Sequence, residues 1–246
     1  MSMSKAKAEN RPLPRRFYKQ AGIALEDGGW RVLLDGRPVK TPAKQVLALP
    51  VEGLAMAVAA EWEAQGEHIN PFTMPLTRLV HVALDAMAAA REGAAAEIAK
   101  FASTDLVSHR SDDPQLAARQ AEVWDPYLRW SETALDAPLK AAVTIAPLNQ
   151  PEASLDAMRK RALALDDLRL TGLVSAAPIL SSAVLAFALL EGESDGETVW
   201  AASRLEEDHQ IERWGEDAEA AQAAANKKRD LLACERLFRE LDAADL

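Results

Sequence analysis

The sequence predicts an α+β fold, with a small antiparallel β-rich N-terminal domain followed by a larger C-terminal all-helical orthogonal bundle. Three observations carry that prediction. Before Pro50 the chain has strand composition, punctuated by Gly, Pro and Asp-Gly turn signals. After Pro50 the apolar residues recur at helical spacing. Throughout, alanine is abundant while 11 Gly and 13 Pro in 246 residues are modest numbers, which favours helix.

Residues 1–14 are expected to form a flexible tail. The basic run Arg11, Arg15, Arg16 and Lys19 is assigned to that tail and a first strand, not to a binding patch. Strand composition appears at 16–19 and again at 30–34, where Gly28-Gly29 precedes and Asp35-Gly36 follows. Asp-Gly between apolar runs is a strong hairpin signal. Val39 and 45–49 continue the pattern, with turns at Pro38, Pro42 and Pro50, giving about four or five short strands. A helix follows in which Val51, Leu54, Ala55, Val58 and Trp62 share one face. The β-rich domain, with this one helix, is assigned to 15–75.

The bundle is assigned to 76–246. Leu76, Leu79, Val80, Ala83, Leu84 and Met87 form its first apolar stripe. Further helices are expected at 91–103, 114–135, 152–167, 170–190, 197–214 and 218–242, with Asp113-Pro114 a helix start. The segment 139–145 is a strand or a loop. The apolar stretch 168–190 carries Arg169, Pro178 and several serines, so it suits a buried helix, or two broken near Pro178, better than a membrane span.

Composition narrows function by exclusion. Apolar residues at 49% suit a folded domain with a real core. A net charge of −10 disfavours nucleic acid and anionic membrane surfaces, whose phosphates need clustered Lys and Arg. The lone Cys234, among Leu231, Leu232 and Leu237, has the setting of a packed residue, and one cysteine suits a reducing compartment. The polar stretch 1–10 is no secretory leader. A cytoplasmic protein without an integral membrane segment is expected.

No phosphate-binding, nucleophile-elbow or metalloprotease motif occurs in the sequence. His68, His81, His109 and His209 are scattered, so no metal or other cofactor is expected. Glu206 and His209 form a single Glu-x-x-His pair, whereas a di-iron bundle needs two such pairs and two further glutamates. The surrounding acidic cluster, Glu206, Glu207, Asp208, Glu212, Glu216, Asp217 and Glu219, repels itself by a few tenths of a kcal/mol per adjacent pair. It suits a solvated face or a docking surface for a basic partner. Trp62 suits the core. Trp214, set among charges, is divided between core and partner surface. These features favour a protein that binds another protein. A metal-dependent enzyme using Glu206, His209 and Glu212 and an adaptor with some other client remain as alternatives.

Three ordered stretches sharpen the choice. The first is Arg16-Phe17-Tyr18-Lys19, running on to Leu34-Asp35-Gly36-Arg37-Pro38-Val39-Lys40-Thr41-Pro42. The second is Glu61-Trp62-Glu63-Ala64-Gln65, followed by Met74-Pro75-Leu76-Thr77-Arg78-Leu79 and Ala83-Leu84-Asp85. The third is Gln210-Ile211-Glu212-Arg213-Trp214-Gly215-Glu216. Together they resemble the assembly chaperones for the catalytic head of F-type ATP synthase, specifically the kind acting on the alpha subunit. The resemblance implies the same two-part α+β fold and an ATP-independent, non-enzymatic chaperone, monomeric when free, that holds the alpha subunit until it meets the beta subunit. Bacterial members would be cytoplasmic, mitochondrial ones in the matrix. It places partner contacts at Glu207, Gln210, Glu212, Arg213, Trp214 and Glu216, and structural motif positions at Trp62, Arg78, Asp85 and Gly36. The acidic, histidine-containing tail of mitochondrial relatives is not matched here: 218–225 is alanine-rich and leads into Lys227-Lys228-Arg229.

Overall fold

The structure, a computed structural model, describes residues 12–144, 148–215 and 217–243. It divides between His81 and Val82 into two compact units.

In the first unit, β1 (Ala21–Glu26) and β2 (Gly29–Leu34) form an antiparallel hairpin, with Ala21 opposite Leu34 and Glu26 opposite Gly29. Asp27 (φ 50°) and Gly28 (φ 79°) make the turn, and Asp35 (φ 48°) and Gly36 (φ 78°) repeat the device on the way to β3 (Arg37–Pro38). Left-handed backbone at both central residues is what a two-residue hairpin turn requires, which explains the Asp-Gly pairs. The other edge of β2 takes β3 at Leu33–Leu34 and β4 (Ala48–Leu49) at Trp30–Arg31. Val32 and Leu34 alternate inward from β2.

The strand expected at 16–19 is not formed; the first strand is β1, five residues later. The segment is held by side chains instead of a ladder. Arg16 donates to the carbonyls of Tyr18, Lys19, Glu63 and Gln65 and to the Glu63 carboxylate. The backbone N–H groups of Lys19 and Gln20 donate to Asp35. Arg16, expected to open a first strand, is therefore an anchor instead. These bonds favour the ionised carboxylates. The N–H of Ala21 and then the Arg16 guanidinium hold Glu63 below the usual range, and the N–H groups of Gln20 and Lys19 do the same for Asp35.

α1 (Glu52–Glu63) buries Leu54, Ala55 and Val58 as the periodicity predicts, but Trp62 at the end of that stripe is only half-buried. Its ring meets Tyr18 edge-on at 5.9 Å, and the Tyr18 hydroxyl donates to the Trp62 carbonyl. Glu61, one residue earlier, accepts from the N–H groups of Leu76 and Thr77 and from the Thr77 hydroxyl, capping α2 (Pro75–Val82). Buried Gln65 bonds to Glu61, Asn70 and Thr73, fixing the connector.

The second unit begins at Val82, the last residue of α2, and continues through a π-helical turn, Ala83–Met87, into α3 (Ala88–Ser103). Leu76, Val80, Ala83 and Met87 of the predicted stripe are buried; Leu79 and Leu84 are half-buried. Then come β5 (His109–Arg110), α4 (Pro114–Ala134), β6 (Ala142–Val143), α5 (Glu152–Ala164), α6 (Asp167–Leu180), α7 (Ala183–Leu190), α8 (Gly196–Ser203), α9 (Leu205–Trp214) and α10 (Ala218–Asp242). Every residue of α7 is buried. Phe238 of α10 packs so closely on Gly172 of α6 that an added methyl would meet its ring at 2.4 Å.

Three details refine the sequence-based expectation. α6 runs through Pro178 and ends at Ser181, which takes the left-handed conformation, so the break before α7 falls after the proline. Pro178 lies in the last turn, so the N–H that it lacks costs α6 one backbone bond close to the helix end. The helix expected at 197–214 is two helices, α8 and α9, divided at Arg204. Segment 139–145 contributes β6, paired in parallel with β5, a two-stranded addition to an otherwise helical unit; its last residue, 145, lies outside those described.

Asp105 is wholly buried and accepts from the backbone N–H groups of Val107, Ala183 and Val184, the last two opening α7. Cys234 is buried too, and burial pushes its thiol up to about 12, which removes it as a nucleophile. Among the described residues no helix is long and apolar enough to cross a membrane.

Candidate protein-docking surface

The clustered acids singled out in the sequence lie on α9, and α9 has almost no core of its own: Leu205 is its one buried residue. Its place is set by side chains from α4 and the loop before it. Asp113 caps α4 by accepting from the N–H groups of Gln115 and Leu116, while its other oxygen accepts from Arg213 at 2.6 Å. The Arg213 guanidinium, and then the two N–H groups, hold the Asp113 carboxyl below the usual range. His209 Nε2 lies 3.6 Å from the same oxygen. Gln120, fully buried, donates to Glu206 and accepts from the N–H of Ser111. Arg119 donates to Glu212 at 3.1 Å, and Arg204 pairs with Asp208 at 3.5 Å. Below them Trp124, fully buried, donates its indole N–H to the Ala202 carbonyl at 2.8 Å. Arg110 lies 5.3 Å over the Trp124 ring and pairs with Asp125.

The repulsion expected of the acidic cluster is thus met largely within the chain. Glu212, Asp208 and Glu206 each have an internal partner, whereas Glu207 and Glu219 are exposed and pair with no described residue. Exposed pairs of this kind contribute about 0–1 kcal/mol each, so they set the register of α9 more than they stabilise the unit.

What α9 presents outward is aromatic. Trp214 ends the helix with 76% of its surface exposed, and Val143 of β6 is 62% exposed. Both line one open groove of 820 Å³, together with Asp113, Glu206, His209 and Arg213. Of the two readings of Trp214, the structure places the ring on the surface. Glu207, Gln210, Glu212 and Arg213 are exposed on or beside the same helix, and Glu216 lies outside the described residues. Gly36, Trp62 and Arg78 lie in the first unit and Asp85 in the second, with Arg78 and Asp85 half-buried. Val143 and Arg119 were not legible as parts of this surface, nor Gln120 as its buried support, because each reaches it from a distant stretch of sequence. Asp113 signalled only a helix start.

Glu206, His209 and Glu212 are not gathered into a metal-holding group: each faces its own partner, Gln120, Asp113 and Arg119. Among the described residues no set of three His, Cys, Asp or Glu side chains is arranged to hold a metal ion.

Comparison with known proteins gives the fold and surface a family. Residues 15–132 match the family model described as ATP12 chaperone protein. The chain is 26% identical over 226 residues to the mitochondrial protein atp12 of Schizosaccharomyces pombe, covering 84% of this chain and 78% of that one. It is 41% identical to the crystal structure of Atp12 from Paracoccus denitrificans, with a TM-score of 0.85 over 92% of this chain and 98% of that one. A crystal structure of an Agrobacterium tumefaciens protein, Atu1473, described as a candidate chaperone, is 36% identical, with a TM-score of 0.87 over 98% of this chain and 92% of that one. The likeness in sequence and backbone runs through both units, and on it the chain belongs to the ATP12 chaperone family, the ATP synthase assembly chaperones that its sequence resembles.

Proposed function

We propose that this chain is an ATP-independent chaperone, without catalytic activity, that holds the free alpha subunit of the F-type ATP synthase catalytic head until the beta subunit displaces it. The family supports the assembly role, and the observation that carries the surface is Trp214, exposed beside Val143 on a helix whose charges are mostly satisfied internally. An unassembled subunit exposes an apolar interface that aggregates if left open. Covering it reversibly asks for a few exposed anchors of moderate strength, since the true partner must win. An exposed tryptophan, with Glu207 exposed about two turns earlier on the same helix, meets that need, and no step calls for a nucleotide or a reacting group. The protein acts as a monomer in the cytoplasm.

The test offers purified alpha and beta subunits separately to the immobilised chain without ATP. Retention of alpha, suppression of its aggregation and passage of beta are the expected results. Trp214→Ala should weaken retention by about thirtyfold, the effect of a hot-spot residue worth about 2 kcal/mol. Its melting temperature should stay unchanged, because the side chain is mostly exposed. Equal retention of beta, or a need for ATP, overturns the client assignment. Undiminished retention by Trp214→Ala overturns the site.

A further inference from the structure

The first unit carries a groove of its own, 590 Å³, walled by Phe17, Tyr18, Val39 and Trp62 and lined also by Arg37 and Lys40. Phe17 is 75% exposed, yet its backbone is fixed on both sides. Arg16 before it makes five hydrogen bonds, and the N–H groups of Lys19 and Gln20 after it are taken by Asp35. Its ring stands edge-on to Tyr18 at 5.3 Å. An exposed aromatic on a fixed backbone loses little freedom when it binds, which is the property of a good anchor. The charge beside it runs against that of the whole chain. Arg37 and Lys40 are exposed and form no ion pair with any described residue, in a protein of net charge −10. Asp35, the carboxylate in the lining, is engaged by backbone N–H groups.

We propose that this groove docks a segment of a partner protein in which aromatic side chains alternate with carboxylates. The rings fill the wall between Phe17 and Trp62, and the carboxylates meet Arg37 and Lys40. The chain's own first eleven residues, with Lys5, Lys7 and Arg11 against Glu9, have the wrong charge for the place. The groove belongs to the first unit, and the proposal does not depend on which subunit is the client.

The experiment titrates the full chain into a fluorescently labelled peptide of alternating Glu and Phe and follows anisotropy. Peptides of alternating Lys and Phe and of alternating Glu and Ser serve as controls. Saturable binding of the Glu-Phe peptide alone is expected, weakened by high salt. Phe17→Ala should weaken it by about fivefold, and Arg37→Glu with Lys40→Glu by at least about tenfold, the charge-reversed protein now preferring the Lys-Phe peptide. Melting temperatures should hold, since all three side chains are exposed. Trp214→Ala should bind the peptide as the parent does. The proposal fails if the Lys-Phe peptide binds the parent equally well, if the Phe17 and charge variants bind unchanged, or if Trp214→Ala abolishes binding. It fails also if sedimentation shows a dimer of the chain that those variants dissolve, because the occupant is then a second copy.

Discussion

Asp105→Ala is expected to lower the unfolding free energy by about 3–5 kcal/mol, enough to leave much of the protein unfolded at physiological temperature. The substitution strands three backbone N–H groups, of Val107, Ala183 and Val184, in a site with no access to water. Two of them open α7, the helix whose every residue is buried. The same carboxyl gives the protein a pH dependence of unusual sign. Burial, partly offset by the Ser182 hydroxyl and the N–H donors, pushes it up to about 6 from an ordinary 3.8. A raised acid stabilises most while protonated, so its contribution is full below pH 3.8 and is lost as pH rises through 6. The loss amounts to about 3 kcal/mol at 1.36 kcal/mol per pH unit. Asp35, Glu63 and Asp113, held below the usual range, act oppositely: they stabilise above the ordinary carboxylate value and lose that contribution as pH falls through their own lower values. Urea midpoints measured from pH 4 to 7 should therefore decline through the middle of that range in the parent and stay level in Asp105→Asn. A parent curve that rises from pH 4 to 6 would falsify the assignment.

Trp124→Ala should cost about 3–5 kcal/mol as well, from the cavity left by a fully buried indole. It should also reach function, since Trp124 bonds to the Ala202 carbonyl just ahead of α9 and supports Arg110 beside the groove. Capture of client by the folded fraction should fall along with the denaturation midpoint. Trp124→Phe keeps most of the packing and deletes the hydrogen bond, so a loss of about 1–2 kcal/mol is expected, with capture largely retained. Full capture by folded Trp124→Ala protein would show that α9 is positioned without this support.

Much of the fold was legible because its signals are local. The Asp27-Gly28 and Asp35-Gly36 turns, the Pro114 and Asp113 start of α4 and the apolar period of α1 are each decided within a few residues. β1 escaped because Ala21-Gly22-Ile23-Ala24-Leu25-Glu26 has poor strand propensity and is a strand only by pairing with β2. Arg16 was not legible as an anchor because three of its five acceptors, the Glu63 and Gln65 carbonyls and the Glu63 carboxylate, come from 47 and 49 residues away. The candidate surface was half legible. Trp214 stood out as an aromatic among charges, but the partners that satisfy those charges, Asp113, Arg119 and Gln120, lie about a hundred residues upstream.

The thin attachment of α9 has a consequence for the order in which the molecule comes apart. One buried leucine and a few solvent-screened ion pairs hold this helix, whereas α7 is sealed on every side. Amide hydrogen exchange should accordingly separate the two by several orders of magnitude, with α9 opening in a small local fluctuation and α7 opening only when the whole unit unfolds. On the proposed function, a client held at Trp214 would be released by that local opening, helix end first, while the rest of the protein stays folded.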